Sequence, residues 1–191
     1  FTKNICDEVK ATAPSSLEEF LKQPYSKNTA STVDEYRGEI VLSLGENIQI
    51  KRILELKKSS DQSIGVYSHS GGKIVTVAIL EGAADQEALA REVGMHIAAE
   101  SPEYLAAEDV PSEITKKEEE VARSQIQNKP PEIQDKIIQG KMRAYFEQVC
   151  LNNQKYVKEP SMTVAKFVES EGKKVGKSLK IIQFIRWQIG G

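Results

Sequence analysis

The segment that most constrains the fold is YSHSGGKIVTVAIL, residues 67–80. Two alternating runs separated by Ser-Gly-Gly predict a β-hairpin that turns at residues 70–72. Its second strand is apolar on both faces, with Val75, Val77 and Ile79 on one and Ile74, Ala78 and Leu80 on the other. We therefore expect a central strand that is covered on both sides. Because the tip carries a histidine and glycines, the hairpin is either a catalytic loop or a docking element.

Composition limits the classes of ligand. The chain has 26 Lys and Arg against 28 Asp and Glu, for a net charge of -2. It lacks the basic field that binds nucleic acid through phosphates, so direct nucleic-acid binding is not expected, although a local basic patch stays open. Cys6 and Cys150 are far apart and form no CxxC pair, which favours a reducing compartment such as the cytoplasm. No apolar run approaches the roughly 20 residues that span a bilayer, so we expect no membrane association.

Helical spacing and caps organise the first part of the chain. We predict a helix over 1–11, a second capped by Ser15 or Ser16, and a third from Val33 that ends at Gly45. Residues 29–32 are interpreted as a polar linker, in which Thr32 or Ser31 caps the third helix. Alternation in NIQIKRILEL (47–56) predicts a strand. Because the first helix starts at Phe1 without an initiator Met, we expect the natural start to lie upstream.

The second part contains the hairpin, a helix from about residue 85 to 99, and a mainly helical stretch over 111–149. QNKPPE (127–132) breaks that stretch, because Pro130 and Pro131 cannot continue the first helix and Pro131 suits the first turn of the next. The two helices predict an antiparallel helical hairpin. A short helix near TVAKFVESEG and a final strand over 178–191 follow. The polar connection KKSSDQ (57–62) is the expected subdomain boundary.

The resulting fold prediction is α+β with two related subdomains, 1–57 and 63–191. Each is expected to hold a small antiparallel sheet packed with helices, and the second to carry an inserted helical hairpin (a coiled coil) at about 112–149. Two weak internal similarities support the duplication: residues 9–21 resemble 97–109, and IQIKRILEL (48–56) resembles IQFIRWQIG (182–190).

Catalytic patterns are missing or incomplete. Gly71, Gly72 and Lys73 lack the earlier glycine of a P-loop. Ser70 to Lys73 spells SxxK without the SDN and KTG partners of serine acyl-enzymes. Two histidines are too few for a zinc site without added ligands, so we predict neither a metal nor a cofactor.

His96, beside Met95 and Ile97, is interpreted as a buried, hydrogen-bonded residue, and the Glu run at 118–120 as a solvated helix face. We therefore predict a binding protein and not an enzyme.

Several ordered blocks carry a family resemblance: LGENIQIKR, YSHSGGKIVTVAIL, MHIAAESPEYL, VPSEITKKEEE, NKPPEIQDKIIQGKM and VCLNNQKYVKEPSMTV. Together they resemble bacterial elongation factor Ts over essentially the whole chain. The resemblance implies two related α+β subdomains with a helical hairpin inserted in the second. It also implies a guanine nucleotide exchange factor that binds elongation factor Tu in its GDP state, promotes GDP release and lets GTP enter.

The resemblance also implies contact positions for elongation factor Tu. The family's Gly-Glu-Asn segment corresponds to Leu44 and Gly45, and the hairpin histidine to His69, with Gly71 beside it in the tip. The segment after the helical hairpin corresponds to Tyr156 and Val157.

One departure and two alternatives remain. The family's Thr-Asp-Phe-Val motif, expected shortly before Phe1, does not occur in the sequence, so we expect this chain to dock but to exchange nucleotide poorly. The first alternative is a ribosome- or RNA-associated binding module that uses the helical hairpin, although KKEEEVAR mixes both charge signs. The second is an acyl-transfer enzyme built on Cys150 or Ser70, for which no base is arranged nearby.

Overall fold

The computed structural model describes residues 1–126 and 130–190 and has an α+β fold, as predicted. The chain separates into two compact units, Phe1–Lys57 and Lys58–Gly191. Residues 127–129 of the predicted break lie outside the described residues.

The first unit is a small helical body with one β-ribbon. Its helices are α1 (Thr2–Thr12), α2 (Leu17–Lys22) and α3 (Val33–Leu44), and its ribbon pairs β1 (Pro24–Tyr25) with β2 (Asn28–Thr32). The predicted caps are confirmed: Ser16 caps α2, and Thr32 forms a capping box with Glu35 at the start of α3. The buried core consists of Ile5, Phe20, Tyr25 and Val33.

The second unit is built on a three-stranded antiparallel sheet. β3 (Gln62–His69) and β7 (Lys180–Gln188) flank the central β4 (Ile74–Glu81), and α4 (Glu87–Glu100) covers one face. The sheet and helix meet very closely, because the Thr76 hydroxyl donates to the Gly94 carbonyl at 2.6 Å. The central position of β4 is confirmed, and Thr76, Ala78 and Leu80 are fully buried towards α4.

The remaining elements of this unit follow α4. α5 (Ser112–Ser124) and α6 (Pro131–Val149) pack through a small cluster of Ala122, Ile126, Ile138 and Met142. Pro131 occupies the first turn of α6, as predicted. A second ribbon, β5 (Lys155–Tyr156) with β6 (Glu159–Thr163), leads into α7 (Val164–Lys174), which Thr163 caps.

Several predictions were wrong. The segment 47–56 forms no strand, because a strand requires a hydrogen-bonding neighbour and β1 and β2 pair only with each other in this unit. Its Ile50 and Ile53 instead pack on the unit's core. Residues 29–32 belong to β2 and are not a linker. The outer face of β4 is incompletely covered: Val75 and Val77 are only half-buried.

Candidate docking surface

The first candidate position lies at the end of α3. Leu44 is its last residue and is 62% exposed, and the neighbouring Leu42 is 86% exposed. Gly45 ends the helix in the left-handed conformation (φ 70°), with its backbone N–H bonded to the Val41 carbonyl. The backbone therefore turns sharply just after an apolar side chain that faces solvent, an arrangement suited to contact with another protein.

The second position is the β3–β4 hairpin tip. Ser70, Gly71 and Gly72 form a tight turn in which all three residues have positive φ (50°, 69° and 92°). Positive φ favours glycine, which explains the two glycines. His69 is exposed at the end of β3, and its Nδ1 lies 3.3 Å from the Tyr67 hydroxyl. Arg91 of α4 in turn stacks over the Tyr67 ring at 5.3 Å. The tip is thus an exposed turn next to a cluster of aromatic contacts.

The third position is the β5–β6 turn, residues 156–159, where two neighbouring side chains have opposite environments. Tyr156 is only 2% exposed and stacks on Phe167 of α7 with 4.0 Å between ring centroids. Val157 is 40% exposed. Burial leaves the Tyr156 side chain little surface to offer a partner, so it supports the turn and Val157 presents an apolar side chain to solvent.

Glu92 of α4 stabilises the same turn by hydrogen bonds to two of its side chains. One carboxylate oxygen accepts the Tyr156 hydroxyl at 2.9 Å, and the other accepts the Lys158 ammonium group at 3.1 Å. Partial burial raises the pKa of Glu92, but hydrogen bonds from Lys158 and Tyr156 outweigh it and leave the pKa below its ordinary value. Burial, followed by the bond to Glu92, raises the pKa of Tyr156, so the phenol stays a donor.

His96 is fully buried and hydrogen-bonded, as predicted. Its Nε2 lies 3.0 Å from the Gln154 Oε1, and its Nδ1 accepts the Val157 backbone N–H at 3.2 Å. The Gln154 amide nitrogen donates to the carbonyls of Gln148 at 2.8 Å and Glu100 at 3.4 Å. Those carbonyls fix the amide orientation, so Oε1 must face His96 and the imidazole must carry its proton on Nε2.

α4 stands between two of the candidate positions. Arg91 and Gly94 contact Tyr67 beneath the hairpin tip, whereas Glu92 and His96 hold the β5–β6 turn. Leu44 and Gly45 belong to the other unit. Sequence reasoning missed Glu92 and Gln154, because their partners lie 64 and 58 residues away along the chain and no local pattern marks such pairs.

Within residues 1–126 and 130–190, no cluster of three or more His, Cys, Asp or Glu could hold a metal ion. Over the same described ranges, no helix is both long and apolar enough to cross a membrane.

Comparison with known proteins gives a consistent assignment. The family model described as Elongation factor TS matches residues 1–191. Elongation factor Ts of Protochlamydia amoebophila is 50% identical over 190 residues, which cover 100% of this chain and 67% of that protein. Elongation factor Ts of Chlamydia felis is 39% identical over 190 residues, with the same coverage. The counterpart from Chlamydia trachomatis serovar D is 40% identical over 165 residues, or 86% of this chain and 58% of the relative.

The chain thus spans about two thirds of the length of the first two relatives. The resemblance seen in the ordered sequence blocks is confirmed, and the relatives are elongation factors and not enzymes. The chain belongs to the elongation factor Ts family.

Proposed function

We propose that this chain is a guanine nucleotide exchange factor for elongation factor Tu, acting in the cytoplasm. The observation that carries the proposal is the family match over all 191 residues. Exchange of this kind needs no covalent chemistry: a protein that binds the nucleotide-free GTPase more tightly than the GDP form must, by linkage, weaken GDP binding by the same factor. Neither a cofactor nor a membrane takes part, and we expect no direct contact with nucleic acid.

The proposed contact set consists of three exposed positions, which are Leu44 with Gly45, His69 with Gly71, and Val157. At each position the backbone is held in place by a helix cap, a tight turn or a neighbouring helix. A rigid contact loses little conformational entropy on binding, which favours affinity. Tyr156 contributes from beneath by fixing the turn that displays Val157.

The test mixes the purified chain with elongation factor Tu from the same organism, loaded with fluorescent GDP. We expect a stoichiometric complex that GDP and Mg²⁺ disrupt, together with faster GDP release. His69→Ala and Val157→Ala should each weaken binding by about fivefold, the equivalent of about 1 kcal/mol. Lys174→Ala, an exposed change on α7, is the matched control and should bind like the unaltered chain. Absence of any complex would refute the proposal.

A further inference from the structure

We propose that His96 is a positioning residue for the docking surface: from inside the fold, its neutral ring holds the backbone that displays Val157 to elongation factor Tu. This inference rests on the proposed function. His96 is fully buried and has no surface to offer a partner, so it can affect binding only through the residues that it holds, of which Val157 is the exposed one.

The hydrogen bonds around His96 permit only one protonation state. Gln154 is oriented by two backbone carbonyls and presents its oxygen to Nε2, which must donate. Nδ1 must then offer its lone pair to the Val157 N–H. A doubly protonated ring would set an N–H against the Val157 N–H, and two donors repel. The Val157 amide would then lose its acceptor in a partly buried site, which disfavours this conformation of the turn.

The surroundings favour the neutral ring. The ionisable groups facing it are Glu100 on α4 and Tyr156 across the turn, and Glu92 with its partner Lys158 lies beyond the Tyr156 hydroxyl. Burial lowers the pKa of His96 below its ordinary value, although Gln154 and Glu100 act in the opposite direction. The ring is therefore neutral near pH 7 and keeps its acceptor.

The first unit contains the same arrangement of a buried side-chain acceptor and a turn amide, which independently supports the positioning role of His96. There Tyr25 stacks on Tyr36 with 4.2 Å between centroids, as Tyr156 stacks on Phe167, and the ribbon registers match: Pro24 pairs with Thr32 as Lys155 pairs with Thr163. At the position that corresponds to His96, the buried Glu8 accepts the Ser26 N–H at 3.0 Å. In both units a buried acceptor on a helix thus holds the amide that follows the stacked tyrosine.

The experiment measures affinity for nucleotide-free elongation factor Tu at pH 7.5, and amide exchange at Val157 by NMR. His96→Leu removes both hydrogen bonds, so Val157 should exchange at least tenfold faster and affinity should fall about tenfold. His96→Asn keeps an acceptor where Nδ1 lies and should recover most of both losses. A destabilised fold would lower affinity in both variants alike, so recovery by Asn separates positioning from general damage.

A pH series keeps the inference testable even if His96→Leu does not fold. The ratio of wild-type to His96→Asn affinity should fall as the pH passes below the folded pKa of His96, which NMR titration of the ring locates, because only the wild-type ring loses its acceptor on protonation. A ratio that stays constant while the ring gains its proton would overturn the inference. So would unchanged affinity and unchanged Val157 exchange in His96→Leu while Val157→Ala still weakens binding, and the proposed function would then stand. Unchanged affinity in Val157→Ala would instead remove Val157 from the contact set and overturn the inference with it.

Discussion

Replacing Gly65 by alanine should separate the sheet from α4. A Cβ at this position would lie 2.1 Å from the Arg91 backbone nitrogen and 2.3 Å from the Ala90 carbonyl carbon, where an ordinary contact needs at least 3.4 Å. Both neighbours are main-chain atoms of a helix, so no rotamer change can relieve the clash. The helix must instead move away from β3 by about 1.3 Å, the difference between the two distances.

The cost follows from what that movement uncovers. Ala90 and Val93, both fully buried, lie on the face of α4 that packs in the main core. Overpacking alone costs about 1–3 kcal/mol, and the loosened core adds to it, so we expect Gly65→Ala to lower the free energy of unfolding by at least about 3 kcal/mol. Urea unfolding followed by fluorescence of Trp187, the only tryptophan and a residue of the same sheet, measures the change.

Gly140→Ala is the matched control. Gly140 lies inside α6, and apart from its chain neighbours and the backbone of its own helix no described atom lies within 4 Å of an added Cβ, so the substitution should stabilise that helix by about 0.5–1 kcal/mol. Its unfolding is followed by circular dichroism at 222 nm, which reports helix. A loss below about 1 kcal/mol for Gly65→Ala would refute the argument, because it would mean that α4 can leave β3 without disturbing the core.

Three further predictions concern local chemistry. Thr32→Ala removes the capping box of α3 and should cost about 1 kcal/mol in thermal unfolding of the first unit, whereas Ser43→Ala on the exposed face of the same helix should cost little. Because the folded pKa of His96 is lowered, its contribution to the free energy of unfolding is complete above about pH 6.5 and is lost as the pH falls through the folded pKa. Urea titrations at several pH values should show this loss in the wild type and not in His96→Asn. Burial raises the pKa of Cys150 to about 11, so at pH 8 iodoacetamide should modify the exposed Cys6 first and Cys150 only after unfolding.

Local patterns explain the successes of sequence prediction. The hairpin at 67–80 was predictable because alternation and a glycine turn are properties of neighbouring residues. The caps at Ser16 and Thr32 were predictable for the same reason, since a cap and its target lie three residues apart. The segment 47–56 shows the limit of such prediction. Its apolar and polar residues do alternate, but a strand also needs a hydrogen-bonding neighbour, which a local sequence pattern does not reveal.

The candidate surface shows a second limit. Family resemblance indicated Tyr156 and Val157 as a pair of contacts, whereas the structure buries one and exposes the other. Strand alternation in so short a ribbon does not say which face is covered. That depends on Phe167 and His96, which reach the turn from α7 and α4.

The similarity between the two units is clearer in their hydrogen bonds than in their amino-acid sequences. Glu8 and His96 are different residue types, yet each gives the turn amide a buried acceptor. A glutamine contacts the buried acceptor residue in each unit. The Gln23 amide nitrogen points to the Glu8 carboxylate, whereas the Gln154 amide oxygen points to the His96 N–H. A neutral imidazole accepts through one ring nitrogen, whereas a protonated imidazole has only donors. The turn that displays Val157 therefore depends on a group whose protonation would remove the acceptor of the Val157 amide.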